Sequence, residues 1–87
     1  MHAVFTHVTI KDVDAATSAL REQVVPGVSQ APGFVTGYWT RKDSSGLSCV
    51  IFDSEDAARA ASERIPTMVP ESVTVDEVET REVVAHA

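Results

Sequence analysis

A helical apolar pattern stops at Ala31-Pro32-Gly33, and an alternating aromatic strand begins at once in Phe34-Val35-Thr36-Gly37-Tyr38-Trp39-Thr40-Arg41. Proline removes a backbone donor and glycine opens backbone angles closed to other residues, so the pair ends one element and turns the chain into the next. The same succession, helix and then strand, returns in the second half of the chain. A repeated switch of this kind leaves few ways to fold so short a chain.

The elements on either side of the break can be read in order. Residues 3 to 10 alternate: Val4, Thr6, Val8 and Ile10 point one way, and Ala3, Phe5, His7 and Thr9 the other. β-branched residues fill both sets, which predicts a strand. Asp12 or Asp14 then caps a helix by accepting a bond from an orphan backbone N–H. Val13, Ala16, Leu20, Val24 and Val28 make one apolar stripe along that helix, with Thr17, Ser18, Arg21 and Glu22 opposite. Pro26 falls inside the stripe and leaves two alternatives, a kinked helix that continues to Val28 or a helix that ends near Val25.

A second strand is predicted from Phe34 to Lys42, a polar turn at Asp43-Ser44-Ser45-Gly46, and a third strand from Leu47 to Phe52, antiparallel to the second. Asp53-Ser54-Glu55-Asp56 opens the second helix, with acids at the positive end of its dipole. Its buried side is Ala57, Ala58, Ala61 and Ile65. Pro66 is expected to end it, and Pro66 to Pro70 to run extended. In the last strand, from near Ser72, Val73 and Val75 share a face, but Val78 lies three residues further on. That break in parity calls for a bulge near Asp76-Glu77, or for a change of partner there.

The order is therefore strand, helix, strand, strand, helix, strand. It predicts an α+β fold of ferredoxin-like βαββαβ type, an antiparallel sheet with two helices on one face, as one domain over residues 1–87. A chain of 87 residues buries little core, and here the apolar side chains are mostly valine and alanine, with leucine only at 20 and 47. So thin a core implies that a second copy completes it, giving a homodimer.

Charge and composition narrow the partners. Seven basic and thirteen acidic groups leave a net charge of −6, and Arg41-Lys42 is the one adjacent basic pair. Nucleic acid is therefore not an expected partner, since phosphate binding needs clustered cations. No membrane partner is expected either, because no apolar run approaches the roughly 18 residues of a spanning helix. Met1-His2-Ala3-Val4-Phe5 lacks the basic region of a signal peptide, so the expected location is cytoplasmic. Cys49 stands alone in the apolar run Leu47 to Phe52 and reads as a small packed hydrophobe.

The elements resemble those of the dimeric α/β-barrel superfamily, especially small proteins like the antibiotic-biosynthesis monooxygenases. The likeness lies in Val8-Thr9-Ile10-Lys11 closing strand one, in Ala31-Pro32-Gly33-Phe34 entering strand two, and in Val50-Ile51-Phe52-Asp53-Ser54-Glu55-Asp56-Ala57-Ala58 crossing into helix two. It covers almost the whole chain. The resemblance implies a homodimer whose two sheets pack face to face as an α+β barrel, with a small-molecule pocket between helices and sheet in each subunit. It also brings in two activities of the family. The oxygenases place an Asn and a Trp in the pocket, the Trp at the end of strand three, where this chain has Phe52. The haem-degrading members need a His on helix two, and none stands there. Their strand-one Asn corresponds to Thr6.

His7 has a titrating ring in mid-strand, but no acid within a few residues is placed to orient it, so a hydrogen-bonded or barrel-lining role is expected. His2 and His86 are expected in solvent, and three scattered histidines make no metal site. Tyr38 and Trp39 are adjacent on a strand and point to opposite faces, one toward the helices and one toward the second copy. The candidate pocket residues are Thr6, His7, Tyr38, Trp39, Phe52 and Met68, an aromatic set that suits a small aromatic ligand. The last strand, through Val78 and Val83, is expected in the subunit contact.

The leading expectation is a small-molecule-binding protein of this superfamily with no assigned reaction. The alternatives are a cofactor-independent monooxygenase acting on an aromatic or polyketide-type metabolite, and a non-catalytic structural dimer module. None of the three calls for a cofactor.

Overall fold

The computed structural model describes residues 1–87. Four strands, β1 (His2–Ile10), β2 (Phe34–Lys42), β3 (Ser45–Phe52) and β4 (Val73–Glu82), form one sheet in the order β2-β3-β1-β4, with every neighbouring pair antiparallel. The helices pack on one face of it. The fold is α+β and compatible with a ferredoxin-like arrangement.

The alternation read in the first strand decides which face is covered. Val4, Thr6 and Val8 stand opposite Val50, Ser48 and Gly46 of β3. Val4, Val50 and Phe52 are almost completely buried and join Val24, Val28, Ala58, Ala61 and Ile65 of the helices in one core. Phe34 meets Phe52 edge to face, centroids 6.3 Å apart, at the mouth of the chain break where the sequence turns. Burying a ring such as Phe52 contributes about 1.5–3 kcal/mol.

The first helix is continuous through its proline. Segment α1 (Val13–Ala19) runs into a π-helical stretch over Leu20–Val24 and then into α2 (Val25–Ser29), with right-handed helical angles at both joins. Of the two alternatives, the chain takes the helix that continues past Val28, and it accommodates the proline by the π-helical turn before it. Pro26 has no N–H for the carbonyl four residues earlier and its ring would collide with that carbonyl. A widened turn just before the proline moves the carbonyl aside and keeps the stripe facing the sheet. Asp12 is the cap, its carboxylate accepting from the Ala15 N–H.

Helix α3 (Glu55–Met68) is capped by Ser54, whose hydroxyl accepts from the Ala57 N–H. Pro66 does not end it. The helix passes through Pro66 and stops at Val69, which is extended at φ −74, ψ 144. Val69 precedes Pro70, and the residue before a proline is pushed out of the helical region, so the second proline sets the end. Only Val69 and Pro70 of the predicted extended link lie outside the helix.

The hairpin between β2 and β3 is tighter than predicted. Lys42 pairs with Ser45, leaving Asp43 and Ser44 as the turn, with Asp43 at a positive φ of 55°. Gly46 belongs to β3, not to the turn. A Cβ there would stand 2.6 Å from Val8 Cγ2, so glycine lets the valine cross the strand. The parity break in β4 is a bulge: Val75 pairs with Val8 and Glu77 with His7, leaving Asp76 without a partner in the ladder. Val78 consequently faces the helices beside Thr6 and packs on the core, so it does not lie on the face where a second sheet would sit.

Candidate functional site

Four residues make a row across the middle of the helix-facing side of the sheet. Trp39 of β2 is paired with Ser48 of β3, Ser48 with Thr6 of β1, and Thr6 with Val78 of β4. Thr6 and Ser48 are the two buried polar residues of the protein. The Thr6 hydroxyl is buried with no hydrogen-bond partner.

Above this row lies a cavity of about 100 Å³, partly open to solvent. Its floor includes Thr6, Ser48 and Trp39, its roof comes from Leu20 and Val24 of the first helix, and Met68 with Val69 and Pro70 closes one side. The walls are mostly apolar, and none of the eighteen lining residues is ionisable. A chemical step in this space would draw its protons from elsewhere, since general acid–base catalysis needs a titrating group within hydrogen-bond reach.

Local sequence explains how the floor is built. Trp39 can lie back over the sheet because Gly37, two residues earlier on the same side, has no side chain. Met68 reaches the first helix at Gly27, where a Cβ would be 2.8 Å from Met68 Cε. The cavity thus exists where small residues let long ones fold over.

Of the sequence-predicted set, Thr6, Trp39 and Met68 come together at this cavity. Phe52 is fully buried and borders a smaller void of about 20 Å³, which it shares with Met68. Tyr38 and His7 stand on the opposite side of the sheet. Ser48 was not among the expected residues, although strand parity with Val50 and Phe52 carries it to the same face.

The opposite face has its own arrangement. Tyr38 is paired with Cys49 and Cys49 with Phe5, while Leu47 and Ile51 continue the same side of β3. Tyr38 is 67% and Leu47 49% exposed. Desolvation by burial pushes the Cys49 thiol above its ordinary value. Along the β4 edge the face turns charged, with Arg81 held by Glu79 at 2.9 Å and lying 5.9 Å over the Phe5 ring.

His7 lies at the far end of that face, near the bulge. Its Nε2 is 3.0 Å from the Ser45 hydroxyl, and its Nδ1 is 3.9 Å from the Asp76 carboxylate. Asp76 is the acid that sequence neighbours could not supply, brought in from another strand. The succession hydroxyl, imidazole, carboxylate has the order of a nucleophilic relay. Yet 3.9 Å is beyond hydrogen-bond reach, and the same carboxylate oxygen accepts from Thr9 at 2.7 Å. The ring is therefore not held in one tautomer, and the contacts tie the bulge to β1.

His2, expected in solvent, is largely buried, its Nε2 3.6 Å from Glu55 and its Nδ1 without a partner; His86 is exposed. No group of three or more His, Cys, Asp and Glu side chains is placed to hold a metal ion. No helix is long and apolar enough to cross a membrane. Comparison with protein-family models finds no match, and comparison with curated proteins finds none.

Proposed function

We propose that the protein is a small-molecule-binding homodimer of the dimeric α/β-barrel superfamily, with one site per subunit between the helices and the sheet. The cavity of about 100 Å³ over Thr6, Ser48 and Trp39 carries this reading. Apolar walls with a few convergent polar groups are the usual make-up of a ligand site, the walls supplying affinity and the polar groups orientation. A lining without ionisable groups favours binding over proton-transfer chemistry.

The second copy is argued from the other face. A sheet side turned to water normally carries polar side chains. Here Phe5, Tyr38, Leu47, Cys49 and Ile51 lie together on it. An identical face from a second copy would bury them about a two-fold axis, sheet against sheet.

A second reading is a cofactor-independent monooxygenase acting on an aromatic or polyketide-type metabolite. It draws on Trp39, whose indole borders the cavity. In such an enzyme the substrate carbanion activates oxygen, and the protein supplies a dry, shaped space. Oxygen uptake with a hydroxylated aromatic substrate separates the two readings.

The experiment for the main reading is native mass spectrometry of protein purified from its own host. The expected species is two 9.3 kDa chains carrying an additional small mass. A bare monomer would overturn both the dimer and the ligand.

A further inference from the structure

The cavity floor holds a polar group without a partner. Thr6 is 3% exposed, yet its hydroxyl bonds to nothing in the protein. Ser48 stands directly across the ladder from it and is 9% exposed. Paired residues on neighbouring antiparallel strands hold their Cβ atoms about 5 Å apart, so a single atom above the sheet can reach both side chains. Buried hydroxyls are nearly always paired, and one left over beside a cavity marks where an outside group completes the bond.

We propose that the cavity binds a neutral molecule the size of one six-membered ring, bearing a single hydroxyl or carbonyl oxygen that pairs with the Thr6 hydroxyl, with Ser48 beside it. This rests on the small-molecule-binding reading above and names the ligand class.

Size, charge and polarity each narrow the class. The space is about 100 Å³, against about 150 Å³ for an engineered apolar cavity that admits benzene. One ring therefore fits with its far edge at the mouth, and a fused polycycle does not fit inside. A carboxylate or an amine would sit among apolar walls with no counter-charge, which keeps charged molecules out. A threonine hydroxyl both donates and accepts, so it serves a phenol or a ketone equally.

The test uses phenol, benzene and benzoate as probes. Each is titrated into the wild type and into Thr6→Val, which removes the hydroxyl and keeps the shape. Calorimetry measures binding, and emission from Trp39, the single tryptophan, reports occupancy of the cavity. Phenol is expected to bind more tightly than benzene, and benzoate not to bind. Thr6→Val should weaken phenol roughly 2- to 12-fold, the range of one neutral hydrogen bond, and leave benzene unchanged. Thr6→Ser, which restores a hydroxyl, should restore the preference for phenol, and it guards against a general folding effect of Thr6→Val. Equal binding of phenol and benzene, indifferent to Thr6→Val, would overturn the polar assignment and leave a small-molecule site standing. Benzoate binding as well as phenol would overturn the exclusion of charge. Failure of all three probes to bind would overturn the site itself together with the assignment.

Discussion

A Cβ on Gly37 would stand 2.9 Å from Cη2 of Trp39, inside van der Waals contact. The indole occupies the space of the missing side chain. Gly37→Ala should therefore push the ring out of its place at the cavity wall. The expected cost is that of overpacking, about 1–3 kcal/mol. Urea denaturation gives the loss, and the near-ultraviolet circular dichroism of the single tryptophan shows whether the ring moved. An unchanged spectrum with unchanged stability would contradict this packing.

The cap of α3 is a single hydroxyl. Ser54→Ala leaves the Ala57 N–H without its acceptor. The expected loss is about 1 kcal/mol, seen in a thermal melt as a fall of about 4–8 °C. Ser54→Asp should keep most of the stability, because a carboxylate accepts the same bond.

Deleting Asp76 tests the bulge. Without the extra residue, Val75, Glu77 and Val78 follow in regular alternation, so Val73, Val75 and Val78 keep the helix-facing side and the ladder with β1 closes without a bulge. What is lost is the exposed contacts of Asp76 with Thr9 and His7, so the expected loss is less than about 1 kcal/mol. Asp76→Ala keeps the count of residues and should cost less than about 1 kcal/mol, because the contacts it removes are exposed. Comparing the two variants by chemical denaturation separates the residue's presence from its charge.

Leu47→Asp tests the second copy. Leu47 is half exposed on the face away from the helices, so the change should leave the subunit folded. A buried charge facing its own copy would split the dimer. Sedimentation equilibrium is expected to show a dimer for wild type and a monomer for the variant. A wild type that sediments as a monomer, or a variant that stays dimeric, would remove that face from the contact.

Cys49 gives a prediction in pH. Its folded thiol ionises above the ordinary value because burial disfavours the thiolate. The folded state thus keeps the proton longer than the unfolded chain does. The stability that this contributes is complete below the ionisation of an unfolded cysteine, and is lost as the pH climbs through the folded value. Iodoacetamide at mildly alkaline pH should label the native protein more slowly than the same protein in urea. Cys49→Ala should flatten the alkaline fall in stability.

Strand parity carried much of the fold. Val4, Thr6 and Val8 could be assigned to one side from their spacing alone, and the three-residue step from Val75 to Val78 called for the bulge that Asp76 makes. The prolines were harder. Nothing local distinguishes Pro66, which the helix absorbs within its last turns, from Pro70, which stops it by acting on Val69. Gly46 looked like a turn residue because its real reason, the crowding of Val8, comes from another strand.

The site was legible in part for the same reason. Alternation separates Tyr38 from Trp39 but does not say which one faces the helices; the pairing of Trp39 with Ser48 decides that. Ser48 carries no aromatic or titrating signal, and its importance lies in standing opposite Thr6. The meeting of His7 with Asp76 spans most of the chain, and no local pattern announces it.

Strand β1 is the first to be made and has its partners last. It lies inside the sheet, between β3 and β4, and His2 pairs with both Phe52 and Glu82. On the ribosome, one edge of this strand therefore stays open until Ser48 and Val50 of β3 are made, and the other until Val78 and Thr80 of β4. Distant pairings of this kind slow folding. The waiting strand, with open edges and apolar side chains, is the part of the nascent protein that most needs shielding from its neighbours.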